Sequence, residues 1–209
     1  YGLLDQRLIE ILQGNKDLDI SKTIGGGHFR INLHYQRGVL GLTARFISDV
    51  IPSPESIGLN EQLQRLAFLN DGFVLVVGPC GSGKSTTLAS LLGIINRERQ
   101  GKIITIEDPI EYVFQNDHCL VEQREIGIDA NDFAVALKYV LRQDPNVIMV
   151  GEMRDNETMD AALTAAETGH LVFSTLHTGT AAESLSRIVS SFPAHQQSQI
   201  ATKLSLCLR

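Results

Sequence analysis

The sequence predicts an α/β fold in which a mostly parallel sheet follows a smaller α+β region. In the larger, second part of the chain apolar runs alternate with helical patterns, which is typical of parallel sheets with helices on their faces. One of these runs leads directly into a glycine-rich segment of the form G-x-x-x-x-G-K-[ST], which indicates the order strand, loop, helix. Before residue 51 apolar and polar residues alternate instead, as in a sheet that is buried on one face.

The first predicted elements are a short helix and a β-hairpin. Leucine and isoleucine recur at helical spacing over residues 3–12, and Gly14 follows as a stop signal. The alternation over residues 28–46 predicts the hairpin, with its turn at residues 36–38. The glycines at 25–27 lack a following lysine and lead into a strand, so we interpret them as a flexible turn.

A break in the pattern divides the chain into domains. Residues 51–56 combine prolines and serines, which interrupt both helices and strands. We therefore expect an N-terminal domain over residues 1–51, a linker over 52–60 and a larger domain over 61–209.

The larger domain is predicted to contain a buried parallel sheet. The strand candidates are residues 73–77, 103–106, 147–150 and 171–175, and helical patterns lie between them, among others at 132–141 and 161–167. Ligands of such sheets bind at the carboxyl ends of the strands. The residues that directly follow each apolar run are therefore the functional candidates.

The first of these candidates is a phosphate-binding loop. It consists of Gly78, Pro79, Cys80, Gly81, Ser82, Gly83, Lys84, Ser85 and Thr86. Glycines allow backbone N–H groups to close around phosphate oxygens, Lys84 supplies a positive charge to the β and γ phosphates, and Ser85 offers a hydroxyl to Mg²⁺. This pattern, between an apolar run and a helical one, predicts ATP binding.

Carboxylates follow the next two strand candidates. Glu107, Asp108 and Glu111 come directly after the strand at 103–106. Either they form a solvated acidic turn, or they hold Mg²⁺ and orient the attacking water. After the following strand, Gly151 stands where an acidic residue is usual, so Glu152 is expected to carry the metal or water role alone.

Two histidines flank the last strand candidate, His170 before it and His177 after it. A single histidine is most often a structural residue, but this pair in a phosphate-loop domain also favours sensing of the γ-phosphate.

Composition restricts the remaining function classes. Of 209 residues, 43% are hydrophobic and 20% charged, which is ordinary for a soluble protein, and no apolar run approaches the roughly 20 residues of a membrane span. The net charge of −6 makes nucleic acid a disfavoured partner. Cys80, Cys119 and Cys207 lack the spacing of a disulfide framework or zinc cluster, so we expect reduced thiols in a cytosolic protein.

Four segments together resemble the type II/IV secretion and pilus motor ATPases. Residues 78–86 are similar to their Walker A box, 106–111 to their Asp box, 150–155, with the Gly–Glu pair, to their Walker B box, and 168–178 to their His box. The resemblance implies a RecA-like ATPase core, with the first 51 residues as part of a PAS-like domain. It also implies that the beginning of that domain and the C-terminal helical domain are missing from the chain.

Within this family, residues 121–127 and 141–145 resemble the retraction ATPases of type IV pili more than the extension or secretion ATPases. The resemblance implies a homo-hexameric, Mg²⁺-dependent ATPase that powers twitching motility. It further implies a cytoplasmic location at the inner membrane, with a platform protein of the pilus machine as partner.

The resemblance also implies roles for individual residues. Glu111 is the first candidate for the general base, and Glu152 acts on the metal side or shares the positioning of water. The implied catalytic set is Glu111, Glu152, Lys84, His177 and His170. The implied Mg²⁺ ligands are Ser85, Glu107, Asp108 and Glu152.

Arginines entering from a neighbouring domain usually compensate charge in phosphoryl transfer. The candidates are Arg30, Arg37 and Arg45 in the N-terminal part and Arg124, Arg142 and Arg154 in the core. Sequence reasoning leaves three other functions open: a pilus extension or type II secretion ATPase, a nucleic-acid translocase, and a nucleotide-binding regulator with little turnover.

Overall fold

The structure is a computed structural model that describes residues 4–208. The described chain divides into two compact units. The first runs to Val50 and includes the short segment Pro109–Val113, and the second comprises Ile51–Asp108 and the chain from Phe114 onward. The outer ends of the predicted first helix and of the two predicted domains, at residues 1–3 and 209, lie outside the described residues.

The first unit is a helix followed by an antiparallel sheet. Its elements are α1 (Gln6–Asn15), β1 (Asp17–Ile24), β2 (Gly27–Gln36) and β3 (Val39–Ile47), and the strands lie in the order β1-β2-β3. The predicted hairpin of β2 and β3 is confirmed: Gln36 pairs with Val39, and both residues of the turn have positive φ, 52° at Arg37 and 79° at Gly38. Sequence analysis missed β1, whose apolar residues are few.

The core of the first unit lies between α1 and one face of its sheet. Leu12 of α1 packs with Leu18 and Ile20 of β1 and with Ile31 and Leu33 of β2. The assignment of this unit to a PAS-like domain stays a prediction.

The second unit contains a five-stranded sheet in the order β4-β8-β7-β5-β6, and all of its strand pairs are parallel. The strands are β4 (Gly72–Val77), β5 (Gly101–Glu107), β6 (Cys119–Glu125), β7 (Val147–Val150) and β8 (Leu171–Leu176). The helices are α2 (Glu61–Gln64), α3 (Lys84–Glu98), α4 (Phe133–Val140), α5 (Asn156–Glu167), α6 (Ala181–Ser191) and α7 (Ala194–Cys207). The predicted α/β class and all four predicted strands are confirmed.

Both faces of this sheet are buried, which explains the continuous apolar runs. Neighbouring residues point to opposite sides: Phe73 packs with the cluster that contains α4, α5 and α7 residues, whereas Val74 packs with α3. Within residues 4–208, no helix combines the length and hydropathy that a membrane crossing requires.

The strand order decides which loops meet. Because β8 lies between β4 and β7, and β5 is the next strand along, the carboxyl ends of these four strands form one continuous edge. The phosphate loop, His177, Glu152 and Asp108 all follow these ends.

The stretch predicted as a linker, residues 52–60, lies in the second unit. It contains a short 3-10 helix, Glu55–Ile57, and Leu59 is buried in the cluster around α3.

Candidate nucleotide site

The phosphate loop connects β4 to the start of α3, and its backbone requires glycine. Gly78 has a φ of 154°, and a Cβ at this position would lie 2.6 Å from the Ser82 hydroxyl. Gly83 has a φ of 91° and precedes the first residue of α3, where no side chain caps the helix. The start of a helix favours an anion, because its first N–H groups have no acceptor within the helix and the helix dipole is positive there.

Lys84 is buried and folded onto its own loop. Its Nζ donates to the carbonyl oxygens of Gly78 at 3.0 Å and Pro79 at 2.9 Å, and it lies 3.4 Å from Nδ1 of His177. The lysine is 9% exposed. Its charge is therefore held at the mouth of the loop, where phosphate oxygens bind.

A row of ionisable side chains continues from His177 along the edge of the sheet. Nε2 of His177 lies 3.7 Å from Oε2 of Glu152, whose other carboxylate oxygen accepts a hydrogen bond from Arg154. Nη1 of Arg154 lies 3.3 Å from a carboxylate oxygen of Asp108. The hydrogen bond to Glu152 is the main cause that raises the pKa of Arg154 above its ordinary value.

Gly151 stands at the position where an acidic residue is usual. The close approach of the neighbouring strand β5 explains why this residue is glycine. Its N–H donates to the carbonyl oxygen of Ile106 at 2.8 Å, and a Cβ on Gly151 would lie 3.3 Å from that oxygen. A side chain would need the backbone of β5 to give way. Glu152, one residue later, is the first position after β7 with a carboxylate.

Glu107 is held to the sheet by hydrogen bonds. It is 6% exposed, and Oε1 accepts from Thr105 Oγ1 at 2.6 Å and from Gln123 Nε2 at 3.0 Å. These contacts tie it to the sheet between β5 and β6, so the proposed direct metal role is better suited to Asp108.

The predicted base, Glu111, is exposed and falls in the segment that groups with the first unit. The segment is joined to that unit by Tyr112, which pairs with Ser48, and by the N–H of Val113, which donates to the Ser48 carbonyl at 3.3 Å. The acidic box is thus divided: Asp108 belongs to the second unit and Glu111 to the first.

The structure does not bring His170 to the phosphate loop. Its carbonyl accepts from the N–H of Gly72 at 3.1 Å, where β4 begins, and its Nδ1 lies 2.9 Å from the Ala165 carbonyl. It therefore lies at the amino end of β8, roughly 20 Å along the strand from His177. These contacts fit a structural role at the end of α5.

The candidate arginines differ in what they contact. Arg154 is bound to Asp108 and Glu152, the guanidinium of Arg142 lies 5.9 Å from the ring centre of Tyr139, and Arg124 donates to the Asp129 carbonyl at 3.0 Å. In the first unit, Arg30 and Arg45 face each other across β2 and β3, whereas Arg37 lies in the hairpin turn.

Sequence analysis missed the residues of α6 that hold the loop after His177. Arg187 donates to the His177 carbonyl at 3.0 Å, the N–H of Gly179 donates to Glu183 at 2.9 Å, and the hydroxyls of Thr178 and Ser184 are hydrogen-bonded. The pattern T-x-x-E at residues 180–183, a helix-capping signal, could have located this helix start.

The side chains at this edge fit a divalent cation bound with a nucleotide. Ser85 offers a hydroxyl in the loop, and Asp108 and Glu152 already bind one cationic group, Arg154. Over residues 4–208, no group of three or more His, Cys, Asp or Glu side chains has the geometry of a metal site. The ion would therefore depend on phosphate oxygens for most of its ligands, as Mg²⁺ does in such sites.

A parallel sheet with this loop and a buried lysine at its carboxyl edge defines a nucleotide-binding protein of the P-loop class. Residues 56–209 match the family model described as "Type II/IV secretion system protein". The chain belongs to this family, as the four sequence boxes indicated.

Two relatives from Pseudomonas aeruginosa illustrate the similarity. The chain is 49% identical to the type IV pilus ATPase PilU over 185 residues, which are 88% of this chain and 48% of PilU. It is 43% identical to the type IV pilus retraction ATPase PilT over 210 residues, which are 100% of this chain and 61% of PilT. The crystal structure of the pilus retraction motor PilT with bound ADP superposes with a TM-score of 0.96 at 48% identity, covering 100% of this chain and 61% of that one. The chain thus spans about half to three-fifths of the length of these relatives.

Proposed function

We propose that this chain is the ATP-binding part of a hexameric motor that hydrolyses ATP to retract type IV pili, the basis of twitching motility. The observation that carries the proposal is the convergence of Lys84, His177 and Glu152 from three strand ends at one phosphate loop. The similarity to PilT over the whole chain supports the assignment to pilus retraction.

Binding of ATP would change the partners of Lys84. The phosphates meet the N–H groups of the loop and of the start of α3, and the ammonium exchanges the carbonyls of Gly78 and Pro79 for β- and γ-phosphate oxygens. His177 contacts both Lys84 and Glu152, so it is suited to respond to the γ-phosphate.

Hydrolysis then requires position and charge more than covalent chemistry. Water attacks the γ-phosphorus, the bond to the bridging oxygen of ADP breaks, and Glu111 accepts a proton from the water. Mg²⁺, when bound, supplies positive charge to the phosphate oxygens, and Ser85, Asp108 and Glu152 are the residues that would hold it. Glu107 supports the loop geometry through its bonds to Thr105 and Gln123.

In this proposal six copies of the full-length protein form a ring on the cytoplasmic side of the inner membrane. The ring acts on a platform protein of the pilus machine, and ATP-driven rotation of the domains is converted into pilin depolymerisation. We expect no nucleic-acid partner, since the net charge of −6 on these 209 residues offers no overall attraction for a polyanion.

Deletion of the gene tests the direction of the motor. We expect cells that lose twitching motility and carry surplus surface pili, and recovery when the full-length gene is restored. Bald cells would contradict retraction and favour an extension ATPase. Cells with normal pili and defective secretion would favour a type II secretion ATPase, and DNA-stimulated hydrolysis by the purified protein would favour a translocase.

Arg30 and Arg45 are the arginines best suited to reach ATP in a neighbouring copy. They lie directly opposite each other in the antiparallel pair β2 and β3, so their side chains share one face of the sheet. Like charges in such a pair repel and destabilise the sheet. Among the described ion pairs neither arginine takes part, whereas Arg154 is already bound to carboxylates. An anion such as the nucleotide phosphates would relieve the repulsion.

The variant R30A/R45A is therefore expected to lower the ATPase rate of assembled full-length rings by about tenfold or more, with ATP binding by each copy retained. Mixed rings provide the control. A copy with Lys84→Ala supplies the arginines, and a copy with R30A/R45A supplies an intact loop, so the mixture should hydrolyse ATP faster than the two proteins do separately. No recovery on mixing would contradict a role for these arginines in a neighbouring site.

A further inference from the structure

Arg154 joins two carboxylates that follow different strands. Glu152 comes two residues before it, after β7, and Asp108 comes after the neighbouring strand β5. One guanidinium nitrogen binds Glu152, and the other lies 3.3 Å from Asp108. The side chain of Arg154 is 60% exposed, whereas those of Asp108 and Glu152 are 36% and 20% exposed. The arginine thus covers the two acids from the solvent side.

The guanidinium occupies the oxygens that a divalent cation would use. Carboxylate oxygens are the protein ligands that Mg²⁺ and Mn²⁺ prefer. One oxygen of Glu152 is bound to Arg154, and the other faces His177 at 3.7 Å, which in turn contacts Lys84. Asp108 also gives an oxygen to Arg154. A metal ion approaching these acids therefore meets a positive charge already in place.

We propose that Arg154 is a positioning residue that competes with the divalent cation for Asp108 and Glu152, and so sets the metal concentration that the site requires. Before metal binds, the arginine keeps the two acids together and offsets their repulsion. When metal binds, the guanidinium gives up at least one of them and moves towards solvent, which its exposure allows. The inference rests on the proposed ATPase function only in that the metal serves ATP.

The decisive measurement is the affinity for Mn²⁺ of the protein saturated with ADP, followed by electron paramagnetic resonance. Removing the competitor in R154Q should tighten Mn²⁺ binding by about threefold or more, the scale of a partly exposed ion pair. R154K should fall between, because an ammonium keeps the charge but cannot bridge two carboxylates with a planar fork. R65Q removes an exposed arginine of the same unit and should leave Mn²⁺ affinity unchanged.

Salt provides a second readout. The difference between the parent protein and R154Q should shrink as ionic strength rises, because the groups are partly exposed and their attraction is screened. Mn²⁺ binding by R154Q that is equal to or weaker than that of the parent, or absent from every variant, would overturn the proposal. A loss of folding in R154Q would be visible in its thermal unfolding, and R154K would then decide.

Failure of the proposed ATPase function can be distinguished from failure of the proposal for Arg154. If the full-length protein does not hydrolyse ATP, the proposed motor function is contradicted. The Mn²⁺ affinities of the parent protein and R154Q still test the role of Arg154. If hydrolysis occurs and R154Q reaches half-maximal rate at the same Mg²⁺ concentration as the parent, the proposed ATPase function is supported and the proposed competition by Arg154 is contradicted.

Discussion

Replacing Lys84 with alanine is expected to abolish ATP hydrolysis and to weaken ATP binding strongly. The lysine is buried, and it is the first residue of α3, directly after the loop. Loss of a charge that acts on the transferring phosphate corresponds to about 3 kcal/mol or more, or at least a hundredfold in rate. Titration with a fluorescent ATP analogue and a steady-state ATPase assay of the full-length protein measure the two effects.

Lys203 provides a matched control for this substitution. Its Nζ also has defined partners, Asp160 at 2.9 Å and Thr164 at 3.1 Å, but they join α7 to α5 away from the loop. Lys203→Ala should lower the thermal unfolding temperature slightly and leave ATP binding unchanged. If both substitutions reduced ATP binding equally, the effect would be one of folding, and the assignment of Lys84 would lose its support.

The parallel sheet could be predicted because its strands are buried on both faces and therefore consist of uninterrupted apolar residues. The edge strand β6 escaped prediction for the same physical reason. It pairs with β5, and its short apolar start at residues 119–121 is followed by Glu-Gln-Arg-Glu, so the apolar run is too short to indicate a strand. β1 likewise alternates with charged residues on an exposed face. β6 and β1 are specified by pairing with a neighbour, which a local pattern does not reveal, whereas β4, at the other edge of the parallel sheet, carries an apolar run and was predicted.

The site was predictable where function depends on backbone shape and less so where it depends on side-chain partners. The phosphate loop requires glycines and a lysine at fixed spacing, which a sequence displays directly. The contacts of Glu107 with Thr105 and Gln123, and the position of His170 at the far end of β8, depend on the packing of separate segments. The resemblance placed His170 among the catalytic candidates and Glu107 among the Mg²⁺ ligands, and neither set of contacts was visible in the sequence.

The substitutions Glu111→Gln and Glu152→Gln are expected to separate the base from the metal site. Glutamine keeps the shape of glutamate but cannot accept a proton, so Glu111→Gln should lower the turnover rate by about a hundredfold or more while ATP binding remains. Glu152→Gln should instead raise the Mg²⁺ concentration required for half-maximal rate, since Glu152 is a candidate Mg²⁺ ligand in the row of ionisable side chains with Arg154 and His177. Single-turnover hydrolysis at several Mg²⁺ concentrations measures both effects.

Glu157→Gln, at an exposed position in the first turn of α5, is the control for loss of one carboxylate and should change neither quantity. The two active-site variants can be distinguished because Glu111→Gln is predicted to change the turnover rate and Glu152→Gln the Mg²⁺ concentration required. A base acts after ATP and metal are bound, so excess Mg²⁺ cannot compensate for its loss, whereas a ligand's loss is offset by mass action. If excess Mg²⁺ left Glu152→Gln inactive and Glu111→Gln retained its rate, the base would be Glu152, and Glu111 would have no part in the chemical step.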